Sequence, residues 1–80
     1  MHEHHLMKDL LADALRHARE QGVSRITTLH LRLGGLTEID PDILRHYLAE
    51  HARGTAAEGA ALEIEPSPVR ELRLVSFDGE

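Results

Sequence analysis

Arg25-Ile26-Thr27-Thr28-Leu29-His30-Leu31-Arg32-Leu33, closed by Gly34-Gly35, is the stretch on which the fold turns. Leu29, Leu31 and Leu33 alternate with Thr28, His30 and Arg32. A period of two, with Ile and Thr at hand, specifies a β-strand that sends its leucines to one side. The leucine side needs a covering layer, and the flanking sequence supplies one.

Upstream, Leu6, Met7, Leu10, Leu11, Ala14, Leu15 and Ala18 recur at helical spacing. They predict an amphipathic helix from His4 to Gln21, ended by Gly22 in the left-handed conformation. Downstream, Asp40-Pro41 is a helix start, with Asp as cap and Pro in the first turn. Leu44, Tyr47, Leu48 and His51 continue as a stripe, and Gly54 closes this second helix. Leu62 and Ile64 alternate with Glu63 and Glu65, and Pro66-Ser67-Pro68 is expected to break that second strand. Val69 to Phe77 predicts a third strand, with Leu72 and Leu74 on one face and Val75 and Phe77 on the other. The short link between the last two strands suggests that they pair antiparallel. The fold class is α+β: two helices packed on one face of a three-stranded sheet, in the order α-β-α-β-β.

At 80 residues the chain has room for one domain, here 1–80. A net charge of −5 and only two aromatic residues, Tyr47 and Phe77, exclude a surface built to hold nucleic acid. No apolar run approaches the length of a membrane span. The first residues lack the basic and apolar blocks of a signal peptide, so a cytoplasmic location is expected. Cysteine is absent, which removes disulfides and thiolate zinc sites. Ser24, Ser67 and Ser76 form no nucleophile arrangement with a histidine, and Gly34-Gly35 is no phosphate loop. The chain therefore does not read as an enzyme.

Seven histidines are the unusual number, and three fall in Met1-His2-Glu3-His4-His5. A terminal amine, the deprotonated His2 amide and the His2 ring can chelate one ion in a plane. Planar nitrogen donation suits Ni(II) or Cu(II), and Glu3, His4 or His5 could complete the set. Met1, His2, Glu3, His4 and His5 are thus the candidate metal ligands. Two plainer readings stand beside this one: a frayed soluble terminus, and a first helical turn in which Glu3 answers the positive helix end. Elsewhere, His17, His30 and His46 fall on polar faces, and His51 falls on an apolar stripe. Asp13 and His17 share a helix face as an isolated pair.

Together these residues resemble the HypA/HybF family of nickel-incorporation proteins. Met1-His2-Glu3 followed at once by a helix carries the likeness. Leu31-Arg32-Leu33-Gly34-Gly35-Leu36-Thr37, then Ile39-Asp40-Pro41 with Leu44, continue it in order. Arg53-Gly54-Thr55, Ala57-Glu58-Gly59-Ala60 with Leu62, and the strand from Leu72 to Asp78 complete it. The resemblance implies a metallochaperone that holds Ni(II) through the Met1 amine and His2, with Glu3 next. It implies delivery to the apoprotein of a nickel enzyme, a [NiFe]-hydrogenase or urease, with a maturation GTPase as partner.

Two departures qualify the likeness. Family members carry a zinc module with two Cys-x-x-Cys pairs between the second and third strands. Here a short turn at about 65–69, Glu65-Pro66-Ser67-Pro68-Val69, stands in its place, so no structural zinc is expected. His4 and His5 replace an apolar and a small residue and add ligands beside His2. The rival reading is a metal-free interaction or scaffold domain. Its support is the missing module, the apolar pair Val75 and Phe77 on the far side of the sheet, and open sheet edges that invite a homodimer.

Overall fold

The structure is a computed structural model that describes residues 3–34 and 39–80, with side chains from Leu6 onward. The elements are α1 (Glu3–Glu20), β1 (Ile26–Gly34), α2 (Pro41–Ala52), β2 (Ala61–Ser67) and β3 (Leu72–Gly79). The expected order and layering hold: both helices cover one face of a three-stranded sheet.

α1 buries Met7, Leu11, Ala14 and Ala18, the stripe its sequence spacing lays down. It ends in a Schellman motif. Val23 N–H donates to Ala18 O at 2.8 Å and Gly22 N–H to Arg19 O at 3.2 Å. Gly22 takes φ 72°, a conformation that only glycine adopts at no cost. α2 opens with Asp40 Oδ1 accepting from Asp42 N–H at 2.9 Å, and it buries Leu44, Leu48 and Ala52. Beneath both helices lie Leu29, Leu31 and Leu33 of β1, together with Ile26 and Leu62.

The sheet topology differs from the hairpin expected of β2 and β3. The strand order is β2-β1-β3, with β1 parallel to β2 and antiparallel to β3. The segment β1-α2-β2 is a crossover unit, and a helix between two strands is what parallel pairing requires. The link from Ser67 to Leu72 therefore passes over the end of β1 instead of turning back on β2. Gly34 makes room for it: a Cβ there would collide with the carbonyl oxygen of Val69 and lie 2.9 Å from Glu71 N. Gly34 N–H donates to Glu71 O at 2.8 Å, so the crossing chain is bonded to the strand it crosses.

Three further expectations are corrected. β2 continues through Pro66, which pairs opposite Leu33, because β2 is an edge strand and an edge tolerates a missing donor. β3 begins at Leu72 rather than Val69, since residues 68–71 are spent on the crossing. Phe77 does not share the outer face with Val75. The β1–β3 register shifts between the His30/Ser76 and Leu31/Leu74 pairs, leaving Val75 as an extra residue. That bulge reverses the alternation, so Phe77 pairs with Leu29 and packs against the core while Val75 stays 47% exposed. A second shift, between Ile26 and Thr28, explains why Ile26 is buried out of step with Leu29.

Candidate metal centre

α1 is joined to β1 by residues 21–25, so the helix lies back along the strand and starts at the end of the layer where β1 finishes. α2 starts at the same end and returns: Ile26 N–H, at the beginning of β1, donates to Ala56 O at 2.8 Å, just beyond the helix. Both helix starts therefore share one end of the molecule with the crossing segment and Gly34.

The backbone of Glu3, His4 and His5 forms the beginning of α1, so the terminal motif runs into the helix. Met1 and His2, and the side chains of Glu3, His4 and His5, lie outside the described residues, as does the Gly35-Leu36-Thr37 part of the strand-turn motif. Among the described residues, no group of three or more His, Asp or Glu side chains is placed to hold a metal ion.

The remaining histidines are dispersed. His17 is exposed on the last turn of α1, with Nδ1 3.8 Å from Glu20 Oε2. Asp13, its sequence neighbour on that face, pairs instead with Arg16 at 3.4 Å. His46 Nε2 lies 4.0 Å from Glu50 Oε1, and its ring sits 6.0 Å from the Tyr47 ring. His51 is half-buried on α2. His30 points away from the helices, as its position between leucines requires. Its Nε2 lies 2.9 Å from Asp78 Oδ2 on β3, a bond that sequence reading missed. Simple alternation gives no hint of it, because the bulge at Val75 decides which β3 residue reaches His30. Thr27 Oγ1 also donates to Asp78 O at 3.2 Å, fixing the β3 end against β1.

At the end of the layer that carries the helix starts, the crossing segment is tied by polar groups. Ser67 Oγ donates to Glu71 Oε2 and also accepts from Val69 N–H at 3.3 Å. Arg73 Nε donates to Glu71 Oε1 at 3.2 Å. The Ser67 hydroxyl, with the positive charges of Arg73 and Arg32, holds the Glu71 carboxyl below its ordinary range. Arg32 Nε also lies 3.8 Å from Glu65 Oε2. This knot, together with the Gly34–Glu71 backbone bond, ties down the link between β2 and β3.

Comparison with known proteins gives a consistent family. The profile described as hydrogenase/urease nickel incorporation, metallochaperone, hypA matches residues 1–72. A hydrogenase maturation factor HypA of Chloroflexus aurantiacus is 42% identical over 69 residues, covering 86% of this chain and 60% of that protein. A HypA of Methanopyrus kandleri is 40% identical over 65 residues, covering 81% of this chain and 46% of that protein. The chain thus spans about half to three fifths of the length of these relatives. Among solved structures, the Ni metallochaperone HypA from Helicobacter pylori superposes with a TM-score of 0.83 at 15% identity. That superposition covers 99% of this chain and 97% of the other, and at so low an identity it speaks for the fold.

Proposed function

From the premise that this chain belongs to the HypA family of nickel-incorporation metallochaperones, we propose that it binds one Ni(II) ion at Met1-His2-Glu3 and hands it to a nickel enzyme's apoprotein. The family is one of metallochaperones, and on that ground the chain is not an enzyme. The observation that carries the proposal is the Met1-His2-Glu3-His4-His5 start, running directly into α1 in a chain that matches the family from its first residue.

The nickel is cargo, and the donors suit it. The Met1 amine, the His2 amide nitrogen and the His2 imidazole form adjacent chelate rings in one plane, the geometry Ni(II) favours. The first amides of an α-helix have no carbonyl partner within the helix, so donating one to a metal breaks no helical bond. Helix starts carry positive partial charge, which opposes a dication. A deprotonated amide and the Glu3 carboxylate offset that charge. His4 and His5 supply further imidazoles for capture and release.

The receiving protein is the large subunit of a [NiFe]-hydrogenase or urease, with a maturation GTPase acting in transfer, in the cytoplasm. The compact link between β2 and β3 replaces a zinc module, and the knot of Ser67, Glu71 and Arg73 supports a sheet that needs no zinc to close. No helix among the described residues is long and apolar enough to cross a membrane.

The test is calorimetric titration of Ni(II) into untagged protein whose native terminus has been confirmed by mass, beside His2→Ala. One-to-one binding in the parent that is lost in His2→Ala supports the site. Equal, weak binding by both proteins overturns it and leaves the metal-free scaffold reading in its place. Affinity is also expected to fall as pH drops through about 6.5, where free imidazole protonates.

A further inference from the structure

We propose that the open edge of β2 docks an extended segment of a partner protein, alternating apolar and basic residues, as a fourth strand. This proposal stands whether or not the chain carries nickel.

β2 is an edge strand, and its parallel pairing with β1 runs through seven consecutive residue pairs without a shift. A straight edge leaves alternate N–H and C=O groups free to bond another strand. The other edge is unsuitable, because the bulge at Val75 bends β3 and breaks its regular spacing. Pro66 lacks a donor, which confines addition on β2 to residues 61–65.

Each face of that edge specifies part of the incoming segment. On the helix side a groove runs between α2 and β2, lined by Leu48, Ala49, Ala52, Ala57 and Leu62, with Arg45 at its margin. Small side chains here leave space beside the core, and an added strand would fill it with every second residue. On the opposite face stand Glu63 and Glu65. Glu65 is shared with Arg32 at 3.8 Å, while Glu63 has no hydrogen bond or ion pair among the described residues. The intervening residues of an added strand would stand beside these carboxylates, where lysine or arginine is favoured.

A second copy of this chain fits poorly. Antiparallel β2–β2 pairing centred on Glu63, Ile64 or Glu65 sets glutamate opposite glutamate, and each copy carries a net charge of −5.

The experiment titrates two capped synthetic hexapeptides, one alternating Lys and Val and one alternating Glu and Val, into the 15N-labelled full chain. Binding of the Lys-Val peptide is expected to shift the amides of residues 61–65 together with Leu48, Ala49 and Ala52. The Glu-Val peptide is expected to bind about tenfold more weakly, since opposite-charge cross-strand pairs become like-charge pairs. In the double variant Glu63→Lys/Glu65→Lys the preference should invert. Both side chains are exposed, so the variant is expected to fold, and its amide spectrum reports whether it does. Shifts scattered over the acidic surface or centred on β3 would overturn the proposal. So would a peptide preference that the double variant leaves unchanged.

Discussion

β2 meets β1 in an unbroken parallel register, whereas β3 meets the same strand antiparallel and slips twice along its length. On the β2 side the alternation of the sequence translates directly into inside and outside: Leu62 and Ile64 turn in, Glu63 and Glu65 turn out. On the β3 side one bulge residue, Val75, reverses the alternation. Phe77 is turned inward and Asp78 reaches His30. The contrast teaches that a period-two pattern reports faces only while the register is regular. It also separates two kinds of edge, one straight and able to accept a strand, the other bent and self-protecting.

The largest effect should come from the residue both sides share. Leu31 is fully buried, with Ile64 on one side and Leu74 on the other. Leu31→Ala is expected to cost about 3 kcal/mol in urea unfolding, from lost burial and the cavity left behind. A cost below 1 kcal/mol would mean that β1 is not the centre of the core.

Gly34 comes next, because it is where the two sides are joined by the crossing chain. Gly34→Ala drives a methyl group into the Val69 carbonyl, so a loss of about 2 kcal/mol is expected by the same measurement. A neutral result would indicate that the link does not cross β1 there.

The bulge is tested by the pair Phe77→Ala and Val75→Ala. Phe77 packs on the core and Val75 is exposed, so the first should cost about 1.5 kcal/mol and the second under about 0.5 kcal/mol. Equal costs would restore the unbulged strand of simple alternation.

The helices, the three strands and the leucine face were legible because each rests on a local pattern: helical spacing in α1, Asp40-Pro41 at the start of α2, and alternation in β1. The strand order was not legible, because it depends on a close approach between Gly34 and Val69, residues far apart in the chain. The order of elements signals only the parallel pairing of β1 with β2, since a helix between two strands suits a crossover. Pro66 was read as a breaker because the sequence does not say which strand lies at an edge. The candidate metal ligands rest on residue type and position alone, and their side chains lie outside the described residues. The His30–Asp78 bond was hidden by the bulge.

The smallest effect concerns acid stability. The Glu71 carboxyl titrates below its ordinary value of 4.5 in the folded chain, mainly through the Ser67 hydroxyl. A depressed folded value means that the unfolded chain takes up the proton first. The contribution is therefore full above about 4.5 and is lost as pH falls through the lower folded value. Glu71→Gln is expected to flatten the acid limb of the melting temperature below pH 5 and leave the neutral range little changed. An unaltered acid limb would show that the knot at the crossing segment adds nothing.

The central proposal is that nickel is held by the terminal amine together with His2, and blocking that amine tests it most directly. Acetylating the Met1 amine keeps all seven histidines but removes the amine donor from the chelate. Titration of Ni(II) into the native and acetylated proteins, followed by calorimetry, should give one-to-one binding in the native chain and its loss in the acetylated one. Equal binding by the two would contradict the account and assign the metal to the imidazoles alone.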